Sequence, residues 1–143
     1  MATFTKFDSF VEALAEKKHD LGTDVLKFML TNSAPIASNT VLANLTEIAA
    51  ANGYTAGGTA VSIASSSQTA GTYSLVAADV VVFTASGGTI GAFRYVVLYN
   101  DTALNDELIS FYDYGSSITL ADTETFTITI DSENPGATLL TLV

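Results

Sequence analysis

The chain contains no cysteine, and it has one histidine in 143 residues. The missing cysteine excludes disulfide bonds and thiolate metal sites, so packing, backbone pairing and assembly must supply the stability. No apolar run approaches the roughly 20 residues that span a bilayer. Met1 to Lys18 lacks the basic segment and continuous apolar stretch of a signal peptide. We therefore expect synthesis in the cytoplasm and no membrane partner.

Positive charge is also scarce. Five basic residues stand against fifteen acidic ones, which gives a net charge of -10. All four lysines precede Phe28, so Arg94 is the only fixed positive side-chain charge in the rest of the chain. Because nucleic-acid affinity rests on Lys and Arg displacing counterions from phosphates, we expect no nucleic-acid partner.

The residues that are present describe a folded protein. Hydrophobic residues make up 48% of the chain and charged residues 14%, a composition far from that of a disordered chain. The length fits a single domain over residues 1–143, with a helical segment at 1–22 and a β-core at 23–143. Residues 90–99 and 108–114 are aromatic and β-branched runs separated by a polar loop. They predict a central hairpin.

The rest of the β-core reads as short strands between turns. Residues 65–68, 86–88 and 134–136 predict turns. Phe126, Ile128 and Ile130 alternate with threonines and should face inward. Further strands are predicted at 25–31, 59–64, 71–77, 80–85, 117–120, 124–131 and 138–143. About eight strands at this spacing predict a mainly β fold, a jelly-roll-like antiparallel β-sandwich with an N-terminal helix.

Two segments carry helix signals. Thr5 and Asp8 have the spacing of a capping box, and Gly22 is a natural stop. An apolar stripe follows at helical spacing: Phe7, Phe10, Val11 and Leu14. The stripe should pack on the β-core or on a neighbouring subunit, and we favour the β-core. Residues 40–51 predict a second short helix, or an irregular loop with one helical turn.

Candidate catalytic groups are few. His19 lies among charged residues at the end of the predicted helix, where we expect it to be solvated. Asp101, Asp106 and Glu107 cluster in the hairpin loop, where polar turn composition explains them better than calcium binding or glycosidase chemistry. The glycine-rich segments lack the lysine of a phosphate loop. The residues therefore predict no enzyme, no catalytic or metal site and no cofactor.

Arg94 lies inside the first strand of the predicted hairpin. A buried arginine needs a partner, and Asp113 on the neighbouring strand is the obvious one. The residues leave open whether Arg94 forms an internal ion pair, lies on the outward face of an edge strand, or forms a salt bridge to another subunit.

Four stretches together resemble a known family: TFTKFDSFVEALAEKKHDLGTDVLKFMLTNSAP, LTEIAAANGYTAGG, ASGGTIGAFRYVVLYNDT and DYGSSITLADTETFTI. The chain resembles the capsid cement (decoration) proteins of short-tailed bacteriophages. The resemblance implies a structural virion protein that forms homodimers or larger clusters and binds the major capsid protein on the capsid surface. Under this hypothesis we expect capsid or subunit contacts at Phe4, Phe7, Phe10 and Arg94. The alternatives are a tail or head-to-tail connector component and a carbohydrate-binding or adhesin module.

Overall fold

The computed structural model describes residues 2–78, 81–129 and 138–143. Within these ranges the protein is mainly β, with antiparallel sheets and one α-helix, which confirms the predicted fold class. The jelly-roll arrangement stays a prediction. The helix is α1 (Ser9–Ala15), and a single 3-10 turn covers Leu42–Asn44. The strands are β1 (Thr3–Lys6), β2 (Leu26–Thr31), β3 (Thr59–Ala60), β4 (Ile63–Thr69), β5 (Thr72–Ala77), β6 (Val81–Thr84), β7 (Ile90–Asn100), β8 (Leu108–Leu120), β9 (Thr125–Ile128) and β10 (Thr138–Leu142).

The strands of the described ranges form three sheets. The central sheet has the order β1-β8-β7-β2-β3, the three-stranded sheet has the order β10-β5-β4, and β6 pairs with β9. One face of the central sheet packs against the two smaller sheets, because Phe28 and Leu98 share a core cluster with Leu75 and Phe83. This gives a sandwich of two layers.

The opposite face of the central sheet is also covered. Met29 and Val97 project from it into a second cluster, against which Leu42 and Leu45 pack from the connection between β2 and β3. A sheet that is buried on both faces has apolar residues at successive positions instead of alternate ones. This explains the nearly unbroken apolar runs that predict the central hairpin.

The observed hairpin is longer than the apolar runs that predict it, and it contains a large bulge. Phe93 pairs with Ile118 and Tyr95 with Asp113, so residues 114–117 lie opposite Arg94 alone. An insertion of this kind bends the strands and redirects side chains. The predicted strand at 117–120 is therefore the far end of β8, not a separate element.

The prediction that the N-terminal helix is capped by Thr5 is wrong. Residues 3–6 form β1, in which Thr5 pairs with Phe111 of β8, so Thr5 does not cap a helix. Asp8 is the N-cap of α1 and makes no side-chain capping hydrogen bond. The Thr-Phe-Thr sequence suits a strand, and the open edge of β8 supplies the partner. The expected packing of the helix on the β-core is confirmed for Phe10 and Leu14, which contact the larger core cluster, whereas Val11 is 54% exposed.

Between β2 and β3 the loop alternative is confirmed. Two main-chain hydrogen bonds connect this segment to the start of β8 and to the residues just before it. The Leu42 amide donates to the Asp106 carbonyl over 3.0 Å, and the Leu108 amide donates to the Thr40 carbonyl over 3.0 Å. These bonds replace the main-chain bonds that a helix over 40–51 would need.

The prediction of a turn at the serine-rich residues 65–68 is also wrong. It lies inside β4, and the turn follows at Ala70 and Gly71, both with positive φ. The strand predictions at 25–31, 71–77 and 138–143 are confirmed within two residues. Phe126 and Ile128 are partly buried and their threonine neighbours exposed, as predicted. The predictions for Val80, Ile130 and the turn at 134–136 concern residues outside the described ranges.

Candidate functional site: an apolar groove beside an open strand edge

β1 lies at the edge of the central sheet and, within the described ranges, pairs with β8 alone. The Phe7 amide donates to the Ile109 carbonyl over 3.1 Å, which fixes the phase of this antiparallel ladder. Because inward and outward residues alternate along such a ladder, Thr5 turns its main-chain groups toward β8. Phe4 and Lys6 therefore turn their amide and carbonyl groups toward the open edge.

A groove of about 700 Å³ lies beside this edge, between β1 and β8 on one side and β9 and β10 on the other. Its volume is within the range of binding clefts. Phe4 packs on Tyr112 with ring centroids 5.4 Å apart, and Tyr114 meets Phe126 edge-on at 5.9 Å. The lining residues used below are Phe4, Lys6, Tyr112, Tyr114, Phe126 and Leu140.

The groove has one charged side chain among its described lining residues, that of Lys6. Its other lining residues are aliphatic, aromatic or threonine. On a chain of net charge -10, a surface free of carboxylate side chains is a local exception. The groove therefore suits an apolar ligand that is neutral or carries one negative charge near Lys6.

Of the four predicted contact residues, Phe4 is at the groove. Its side chain is 48% exposed at the rim. The predicted contacts at Phe7 and Phe10 are wrong, because both side chains are fully buried in their own subunit. Phe7 packs on Phe111 at 5.1 Å, and Phe10 packs on His19 at 5.3 Å. Phe7 lies between β1 and α1 and Phe10 lies in α1, and both rings point into the protein, so neither ring is available to a partner.

Arg94 forms the predicted ion pair with Asp113. Its Nε donates to Oδ1 over 2.7 Å and its Nη2 donates to Oδ2 over 2.8 Å. The Gly115 amide also donates to Oδ1. The hydrogen bond from Arg94, followed by that from Gly115, lowers the pKa of Asp113 below its usual value. The alternative of an internal pair is thus confirmed, and any contact of Arg94 with another subunit must share a guanidinium that already binds Asp113.

His19 is buried, so the expectation of a solvated histidine is wrong. The Asn100 Oδ1 accepts from the amides of Thr102 and Ala103, which turns its Nδ2 toward His19 Nδ1 at 3.1 Å. Since that amide nitrogen donates, Nδ1 accepts and we assign the imidazole proton to Nε2. Burial lowers the pKa of His19 below its usual value. Because the neighbours of His19 in the sequence are charged, the sequence gives no sign that its side chain is buried.

The loop carboxylates make structural contacts. Asp101 forms a salt bridge to Lys27 at 2.8 Å. Burial, followed by the charge of Asp101, raises the pKa of Asp106. Among the described residues no group of three or more His, Cys, Asp or Glu side chains is placed to hold a metal ion. In the same part of the chain, no helix has both the length and the apolar character needed to cross a membrane.

The predicted contact residue Phe4 lies at the groove, but the sequence gives no sign of the other lining residues of the groove. Its walls come from strands that are more than one hundred residues apart in the chain, β1 and β10. Period-two alternation marks Phe126 as inward-facing, but it gives no sign that the strands leave a gap there. Comparisons with protein-family models, with curated proteins and with solved structures find no match to this chain.

Proposed function

We propose that this chain is a non-enzymatic structural protein of a bacteriophage particle, which binds the outer surface of the capsid and stabilises contacts between capsomers. The observation that carries the proposal is the half-exposed Phe4 on an open edge strand beside an apolar groove. Exposed apolar surface around a concavity is typical of interaction sites. The resemblance to capsid cement proteins supports the major capsid protein as the partner.

The physical basis of such a role is mass action. A subunit that binds the assembled lattice, and not the separate shell proteins, stabilises the assembled state with every bound copy. Homodimers or larger clusters of the subunit would multiply modest single contacts by multivalency. The net charge of -10 is compatible with a position on the capsid surface, away from packaged DNA.

The test is binding to empty shells of the phage that encodes the chain. The purified protein is mixed with shells and sedimented, and the bound copies per shell protein are counted. Phe4 is 48% exposed, so completing its burial is worth about 1 kcal/mol. The substitution Phe4→Ser should therefore weaken each contact about fivefold.

Val11→Ser is the matched control. Val11 is 54% exposed on α1 and does not line the groove. We expect this variant to bind shells like the wild type. Equal binding by the Phe4 and Val11 variants would contradict the proposed contact surface. A wild-type protein that does not sediment with shells would contradict the proposed function.

The groove also supports a second candidate, a carbohydrate-binding module. Tyr112 and Tyr114 line it, and Tyr114 is 50% exposed. Aromatic rings with a polar tip suit a ligand that is partly apolar and partly hydroxylated. Binding on a glycan array that is lost in Tyr114→Ala would favour this function, whereas rings or tubes formed by the protein alone would favour a tail or connector component.

A further inference from the structure

We propose that the groove binds an extended segment of the shell protein, which adds to β1 as a new edge strand. This inference rests on the proposed function and specifies how the contact is made. Phe4 and Lys6 direct their amide and carbonyl groups toward the open edge, as the Phe7 to Ile109 hydrogen bond implies. Among the described residues no strand pairs with this side of β1, and an unpaired strand edge is a template for strand addition.

The same two residues connect the edge to the groove. Phe4 and Lys6 both contribute side chains to its lining. An added strand places its alternate side chains on this face of the sheet, directly opposite Phe4 and Lys6. The main chain of the segment would pair with β1, while its alternate side chains fill the space in front of Tyr112 and Phe126.

These features select the chemistry of the occupant. An aliphatic small molecule could fill the groove but could not bond to the outward main-chain groups of β1. A second copy of this chain is the competing occupant, and light scattering of the free protein distinguishes it from the shell protein. The segment should have an apolar residue opposite Phe4 and a neutral or acidic residue two positions away, opposite Lys6.

Two variants of Lys6 separate main-chain pairing from side-chain contact. Lys6→Pro and Lys6→Ala both remove the ammonium group, but only proline removes the outward amide. Proline is tolerated on an edge strand where its nitrogen faces away from the sheet, so the pairing of β1 with β8 should survive. In the sedimentation assay with empty shells, Lys6→Pro should bind about three- to tenfold more weakly than Lys6→Ala.

Hydrogen exchange of the wild-type protein provides a second measurement that needs no variant. The complex with shells is exchanged in D₂O, quenched and released, and single amides are read by NMR. Strand addition should slow exchange at Phe4 and Lys6, whereas Thr5, whose amide already faces β8, should change little.

The outcomes distinguish this inference from the function on which it rests. Shell binding with equal affinity for Lys6→Pro and Lys6→Ala, and no added protection at Phe4 and Lys6, would overturn strand addition but leave the cement role intact. Failure of the wild type to bind shells would overturn both. Free wild type that is dimeric by light scattering, with Lys6→Pro monomeric, would identify a second copy as the occupant and overturn the assignment to the shell protein.

Discussion

The Tyr54 hydroxyl accepts a hydrogen bond from a main-chain amide at the edge of β2. Removing this hydroxyl tests how the loop before β3 stabilises the central sheet. β3 pairs only with Lys27 and Phe28, so Leu30 has no strand on that side among the described residues. The Leu30 amide instead donates to the Tyr54 hydroxyl over 3.0 Å. The hydroxyl in turn donates to Glu47 Oε1 over 2.6 Å. Burial raises the pKa of Tyr54 far above its usual value, so the hydroxyl keeps the proton that it donates.

The substitution Tyr54→Phe keeps the ring and deletes both hydrogen bonds. It leaves the buried Leu30 amide without a partner, which costs about 1–3 kcal/mol. Glu47 keeps one partner, the Gly57 amide at 2.7 Å, so its loss is smaller. We expect a fall of about 2 kcal/mol in the free energy of unfolding. For a domain of this size the corresponding fall in Tm is about 6 °C.

Urea denaturation and calorimetry measure this loss, and Tyr73→Phe is the matched control. The Tyr73 hydroxyl bonds to Ser66 Oγ at an exposed position, where its removal should change stability by less than about 0.5 kcal/mol. Amide exchange at Leu30 should also accelerate in Tyr54→Phe. If the two variants were equally stable, the reasoning that Tyr54 satisfies a buried strand amide would be refuted.

Two further predictions concern a glycine and the buried histidine. Gly58→Ala should cost more than about 3 kcal/mol, because its new Cβ would collide with the Phe28 carbonyl oxygen. Gly71 has a similar positive φ but open space around it, so Gly71→Ala should cost about 1 kcal/mol. Equal losses of the two variants in urea melts would contradict this. Burial lowers the folded pKa of His19, so below its usual value of about 6.5 the unfolded chain binds more protons. The free energy of unfolding should therefore fall as the pH drops from about 7 to 5, and the slope should flatten in His19→Gln; an unchanged slope would refute the assignment.

The strands of the β-core could be predicted because their signals are local. Residues 90–99 and 108–114 are mostly apolar, and residues 96–100 and 108–111 are buried at successive positions, as a strand covered on both faces requires. Phe126 and Ile128 alternate with exposed threonines, as a strand with one solvent-exposed face requires. The ion pair of Arg94 with Asp113 could be predicted because an arginine in an apolar strand needs a carboxylate nearby.

The failures arise where distant contacts override the local pattern. Phe7, Phe10 and Leu14 recur at helical spacing, yet β8 offers an open edge and draws residues 3–6 into a strand. His19 is surrounded by charged neighbours in the sequence but is buried by Phe10 and Asn100, which lies 81 residues away. The groove has no local signal because it is the space left between β1 and strands near the other end of the chain.

The measurement that tests the central claim most directly is co-sedimentation of the purified protein with empty shells, with the bound ratio compared between wild type and Phe4→Ser. We expect the wild type to saturate at a fixed ratio to the shell protein, and Phe4→Ser to need about fivefold more protein for the same occupancy. A wild-type protein that stays in the supernatant with every shell preparation would contradict the account.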